Sequence, residues 1–174
     1  MTSLSIDRFS APAAPGMRKT GRRLALVWSA TRNAPNMLRV AFASDDRATV
    51  NQHFGAAEGF AIFALDGERA QLVEVAEFPP EAMDGNETRL PARIATLDGC
   101  AAVYCLAVGA SAVKQLLAAG IQPIRLDDGG AIEPLLKQIS RAIRDGGIPW
   151  VDKALRKKDD ASRFERMAVD GWEE

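Results

Sequence analysis

Few side chains in this sequence could do chemistry, and they lie close together. His53, the only histidine, sits in the stretch Ser44-Asp-Asp-Arg-Ala-Thr-Val-Asn-Gln-His-Phe-Gly55. Imidazole is the commonest protein metal ligand and titrates near neutrality, although a lone loop histidine is more often an ordinary surface residue. Cys100 and Cys105 are the only thiols. Cys105 falls at the carboxyl end of an apolar run and is the second candidate ligand, against the bland reading of an inert packing residue. Cys100 precedes that run and reads as structural. Asp45 and Asp46 are adjacent carboxylates. A two-metal nuclease needs carboxylates from different elements, yet the run that ends at Cys105 continues Leu106-Ala-Val-Gly109 with no acid. The pair reads instead as turn residues, or as partners that orient His53. No phosphate-cradling glycine loop, nucleophile elbow or zinc-ligand spacing occurs.

The elements that must position these groups follow from hydrophobic pattern. Residues 38–44 are apolar on both faces, as in a central strand covered by helices. Residues 60–65 form the next apolar run, and a connection as long as 44–55 without apolar periodicity has the character of a functional loop. Asp66-Gly67 is a favoured hairpin turn into a third strand, 70–78, whose Gln71, Glu74 and Glu77 mark a sheet edge. Pro79-Pro80 ends it, and 81–87, which contains Met83, has loop composition. A helix then has Pro91 in its first turn and Leu90, Ile94 and Leu97 on one face. A buried strand, 101–107, leads to a helix opened by Gly109, with Val113, Leu116 and Leu117 inward and Gly120 as its stop. Strand 121–126 is confined to an edge by Pro123, and a helix from about 132 to 144 buries Leu135, Leu136, Ile139 and Ile143.

Two antiparallel connections followed by right-handed crossovers predict an α/β fold with a mixed five-stranded sheet of order 3-2-1-4-5 and flanking helices. In such a sheet the first and fourth strands are parallel neighbours, and ligands bind beyond their carboxyl ends. The expected site therefore gathers residues 44–55, the 107–111 turn and the helix N-terminus that follows. Its predicted binding set is His53, Ser44, Asp45, Arg47, Asn51, Gln52, Cys105 and Gly109. Arg47 would offset negative charge on a ligand, and Asn51 and Gln52 would donate hydrogen bonds to it.

At 174 residues, 47% hydrophobic and 26% charged, the chain has the composition of an ordinary globular protein able to bury a core. No apolar run approaches the ~20 residues that span a bilayer. Arg22-Arg23 precedes only a short apolar run, 24–28, too brief for a signal-peptide core. The expected location is the cytoplasm, which suits two free thiols whose close spacing within one strand does not favour a disulfide. Charge divides the chain into three parts: a flexible basic N-terminal extension (1–36), an α/β domain (37–150) that carries the expected binding site, and a charged C-terminal tail (151–174) that forms at most a short, weakly attached helix. The acidic balance of the middle part argues against a nucleic-acid partner, and nothing points to a membrane.

Residues 39–45 running into Val50-Asn-Gln-His-Phe-Gly55 resemble the strand and loop that open the nitrogenase iron–molybdenum cofactor biosynthesis family, of the NifX and NifY type. The resemblance continues through Asp84-Gly-Asn-Glu-Thr-Arg-Leu90, Cys100-Ala-Ala-Val-Tyr-Cys105, Ala107-Val-Gly109, Gly120-Ile-Gln-Pro123 and Ile148-Pro-Trp150, covering residues 38–153. It implies a ribonuclease-H-like topology and no catalytic activity. It further implies a carrier that binds an iron–sulfur precursor of the iron–molybdenum cofactor and passes it to the assembly scaffold. The alternative it offers is a NifY-like accessory protein that docks on cofactor-free nitrogenase and assists insertion. His53 and Cys105 would then be the metal ligands. A permanent iron–sulfur centre takes four thiolates; a cluster held by one or two side chains can leave, as a carrier requires.

Overall fold

The computed structural model describes residues 24–25, 37–79 and 89–170. Its centre is β2 (Leu38–Ala43), which pairs antiparallel with β4 (Gly59–Leu65) on one side and parallel with β6 (Ala102–Cys105) on the other. β5 (Ala70–Glu77) extends the antiparallel half and β7 (Gln122–Arg125) the parallel half. This is the predicted 3-2-1-4-5 order of the ribonuclease-H-like class, with one addition. A two-residue β1 (Leu24–Ala25) pairs antiparallel with β5, Leu24 opposite Ala76, so the expected edge strand is covered there. Pro123 does lie in the terminal strand, where its missing N–H interrupts no ladder.

Alternation along β2 sends its side chains to two cores. Ala41 and Ala43 join Phe60, Ile62, Val103 and Cys105 beneath α1 (Leu90–Thr96) and α2 (Ala110–Ala118). Leu38, Val40 and Phe42 join Leu65, Ala102 and Tyr104 beneath α3 (Ile132–Asp145) and the first turns of α4 (Pro149–Asp170). The β2 residues on the first face are small, Ala41 and Ala43, while on the second Phe42 stacks on Tyr104 at 5.2 Å between ring centroids.

Several local expectations change. The β4–β5 connection is not a two-residue turn on Asp66-Gly67: Leu65 pairs with Ala70, and the Asp66 carboxylate accepts the Glu68 and Arg69 N–H groups at 2.8 and 2.7 Å. On α2 it is Ala112 and Leu116 that are buried, while Leu117 is half exposed. A second, two-stranded sheet pairs β3 (Thr49–Val50) with β8 (Gly130–Ala131) inside what reads as two loops. Gly129 makes that pairing possible, since at φ +65° it lies in the left-handed region and a Cβ there would strike the Val50 carbonyl.

The domain boundary expected at residue 150 falls within α4, which begins at Pro149. Val151 is fully buried, and Trp150, Ala154 and Leu155 pack against the α3 side of the core. Lys158 donates to the Met37 carbonyl at 2.7 Å, while residues 159–169 are exposed. The expected basic extension, apart from Leu24 and Ala25, and the 81–87 loop with Met83 lie outside the described residues. A chain ending at residue 161 is expected to keep its Tm within about 2 °C. One ending at 148 loses a fully buried valine and three half-buried apolar side chains, worth about 4 kcal/mol or more in total. Calorimetric melting of the two truncations checks this.

Candidate functional site

The carboxyl ends of β2 and β6 lie level with one another, Phe42 opposite Tyr104, and the chain leaves them in opposite directions. Residues 44–58 leave β2 and return to β4; residues 106–109 leave β6 and enter α2. The returning segment is fastened to the other connection by backbone alone. Leu106 donates its N–H to the Gln52 carbonyl at 2.9 Å, and Phe54 donates its N–H to the Ala107 carbonyl at 2.8 Å. His53 stands between these two bonds, its main chain held on both sides and its side chain exposed. It caps a single 3-10 turn, Phe54–Ala56, whose Ala56 N–H returns to the His53 carbonyl at 3.3 Å. Phe54 is wholly buried beneath, against Phe60 at 5.5 Å.

The other polar residues of the loop hold the loop itself. Ser44, nearly buried, donates from its hydroxyl to Asp46 at 2.9 Å and accepts the Arg47 N–H at 2.8 Å. The Asp46 carboxylate also accepts the Ala48 and Thr49 N–H groups and the Thr49 hydroxyl, at 2.8, 2.7 and 2.7 Å. Those bonds, the Thr49 hydroxyl foremost, hold its pKa well below the usual carboxylate range. Asp45 and Asn51 pair with each other, the Asn51 amide donating at 2.6 Å and the Asp45 N–H at 3.3 Å. Gln52 accepts the Glu58 N–H through its side-chain oxygen at 2.8 Å. Arg47, at φ 62°, turns toward β5 and forms an ion pair with Glu77 at 3.0 Å.

Of the predicted set, then, His53 has an exposed side chain and Gly109 lies on the adjoining connection, while Ser44, Asp45, Asn51 and Gln52 are engaged in shaping the loop, and Ser44, Asp45 and Arg47 line a separate cavity with Glu77 and Phe78. Gly109 is the N-cap of α2, and no side chain caps that terminus. Cys105 lies under the site, not in it. It is fully buried, with its sulfur 3.9 Å from the Ile124 carbonyl oxygen, and burial pushes its thiol up to about 11. A thiol in that state is a poor metal ligand. Cys100 lies at the other end of β6, where burial pushes it up to about 12. Asp46 takes the turn role expected of it, and neither aspartate is hydrogen-bonded to the His53 side chain among the described residues. Among those residues, no three His, Cys, Asp or Glu side chains converge to hold a metal ion.

One residue of this region escaped the sequence reading. Arg93 of α1 is 3% exposed. It donates to the Ala57 carbonyl at 3.2 Å, directly after the His53 turn, and its guanidinium lies over the Phe78 ring at 4.9 Å. The signal was present: Leu90, Arg93, Ile94 and Leu97 are spaced i, i+3, i+4, i+7, so Arg93 occupies the apolar stripe of α1.

The sequence model described as "Dinitrogenase iron-molybdenum cofactor" matches residues 36–142, more than half of the chain. The chain belongs to this family. A relative named Protein NifX from Azotobacter vinelandii is 47% identical over 140 residues, covering 79% of this chain and 89% of its own. Protein NifX from Klebsiella pneumoniae is 33% identical over 134 residues, covering 75% and 80%. Protein NifY from Klebsiella pneumoniae is 30% identical over 120 residues, covering 68% of this chain and 51% of its own. The chain thus has a role in iron–molybdenum cofactor biosynthesis, in the setting of nitrogen fixation. No described helix is long and apolar enough to cross a membrane.

The Asp46 turn makes the loop pH-sensitive with a definite sign. Because the folded carboxylate sits below the ordinary value of 3.8, its bonds are fully present above that pH and are lost as the pH falls through the lowered folded value. Asp46→Ala is expected to speed amide exchange at Ala48 and Thr49 at neutral pH and to leave the β2–β6 amides unchanged. Hydrogen exchange followed by NMR reads both.

Proposed function

We propose that this protein is a non-catalytic carrier that binds an iron–sulfur precursor of the iron–molybdenum cofactor at His53 and releases it to the assembly scaffold. The observation that supports it most is the mounting of His53: a rigidly held main chain, an exposed imidazole, and the uncapped N-terminus of α2 on the adjoining connection. Backbone N–H groups at a helix start favour anionic sulfides, and one side-chain ligand gives an attachment that can be undone. With Cys105 buried and protonated, His53 is the sole protein ligand in this reading. Residues 37–170 form the binding unit, and the buried free thiols suit a reducing compartment such as the cytoplasm.

Under this proposal, His53→Ala leaves Tm nearly unchanged, because an exposed side chain buries little apolar area. It weakens binding of the purified precursor about tenfold or more, roughly 1.4 kcal/mol. Cys105→Ala has the reverse profile, lowering Tm by more than it lowers affinity. Anaerobic titration followed by absorbance and paramagnetic resonance measures the affinities, and unchanged binding in His53→Ala removes the proposal. The likeness to NifY favours a second reading, an accessory protein that docks on cofactor-free nitrogenase and assists insertion. Binding of precursor by the isolated protein separates the two. Both are non-catalytic, so incubation of nucleic acid with magnesium or manganese should yield no cleavage; a metal-dependent rate abolished by Asp45→Asn would refute both.

A further inference from the structure

Arg93 is a buried cation that pairs with no anion among the described residues. Among those residues its guanidinium has one hydrogen bond, to the Ala57 carbonyl, and its Nε is buried with no partner. Arg89, one turn earlier and half-buried, likewise has a buried Nη1 without a partner. None of the ion pairs formed among the described residues includes either arginine. Of the acids adjacent in sequence to the two contacts of Arg93, Ala57 and Phe78, Glu77 pairs with Arg47, and Glu58 forms no ion pair among the described residues. Burial and the neighbouring Arg89 both push the Arg93 pKa down, as expected of an unneutralised charge, but an arginine stays protonated at any working pH. Folding therefore leaves a fixed positive charge in a low-dielectric position, set on the Phe78 ring and tied to the turn that presents His53.

We propose that Arg93, backed by Arg89, is the charge-selecting residue of this site: it biases the His53 crevice toward a multiply anionic, sulfide-faced cargo and against neutral or cationic ligands. The inference rests on the carrier reading and adds the basis of its selectivity. In a poorly screened interior the charge acts on the crevice without touching the ligand. The hydrogen bond to Ala57 also couples it to the turn, since the Ala57 N–H reaches back to the Phe54 carbonyl at 3.4 Å. Arg93 is thus a positioning residue as well as a source of field.

Tetrathiomolybdate, a soluble sulfide-faced dianion, is the probe. Calorimetric titration of the full chain at two ionic strengths is compared for wild type, Arg93→Lys, Arg93→Met, Arg89→Met and His53→Ala. The expected result is dianion binding by the wild type that weakens with salt, a loss within about threefold in Arg93→Lys, and a loss of about tenfold or more, with a flatter salt dependence, in Arg93→Met. The ligand-free Arg93→Met should melt close to wild type, because removal of an unpaired buried charge offsets the lost hydrogen bond to Ala57. Wild-type affinity and salt dependence in Arg93→Met overturn the inference, as does an equal loss in Arg93→Lys and Arg93→Met, which marks a packing role. Should Arg93→Met fail to fold, Arg89→Met decides on the same salt dependence. His53→Ala keeps the carrier reading separate: dianion binding retained in that variant while precursor binding is also retained counts against His53 as ligand and leaves the role of Arg93 standing.

Discussion

The His53 turn is held by two backbone hydrogen bonds, Leu106 N–H to Gln52 carbonyl and Phe54 N–H to Ala107 carbonyl. They join two connections that leave parallel neighbouring strands and would otherwise diverge, as they do at the switch point of any such sheet. Because the bonds flank a single residue, they fix the main chain of His53 without using its side chain. Phe54 reinforces the clamp from below: it is fully buried in the α1–α2 core, and it is the first of a row of rings, Phe54, Phe60 and Phe78, that ends under Arg93. Lifting the turn would expose that row, so the exposed histidine is anchored by buried apolar area one residue away.

A second set of bonds keeps the rest of the loop from collapsing onto the turn. Asp46 gathers four donors within three residues on either side, and Thr49–Val50 pair with Gly130–Ala131 at the start of α3, where the Ile132 N–H reaches the Ala48 carbonyl at 2.8 Å. The loop is thereby tied at one end to the antiparallel half of the molecule through Arg47 and Glu77, in the middle to α3, and at the far end to β6 and α2. It is a structured arch over the sheet's carboxyl end.

The parts of this arrangement that were legible in the sequence are those governed by short-range pattern. Apolar runs with Gly and Pro punctuation marked all five main strands and the first three helices, and right-handed crossovers then dictated their order. What was not legible depended on pairing between distant short segments. Neither Thr49–Val50 nor Gly130–Ala131 is long enough to show a period of two, so β3 and β8 looked like loop; the same holds for Leu24–Ala25 on the β5 edge. The charged composition of 151–174 hid the anchoring of α4, whose buried contacts are concentrated in its first turns. In the site, residue types were read correctly as polar and clustered, but the sequence does not say which donor meets which acceptor. Asn51, Gln52 and Ser44 were assigned to a ligand, and the structure engages each of them with the loop's own groups.

That reassignment bears on how such a site can discriminate among ligands. On the carrier reading, a site in which Ser44, Asp45 and Asn51 are already paired within the loop has few side-chain donors left with which to read the shape of a cargo. What remains on that reading is one imidazole, the amide nitrogen of Gln52, the open N–H groups at the start of α2, and the charge behind the turn. Two of these four are electrostatic, and neither requires close fit. Recognition built this way favours a class of anionic objects over a single geometry, and it releases them readily, because field stabilisation falls off smoothly as the ligand withdraws whereas hydrogen-bond networks break abruptly. Under the proposal for Arg93, burial is what makes such a mode effective: placed at the surface, the same charge would be screened by water and salt, whereas beside Ala57 and against Phe78 it is screened less.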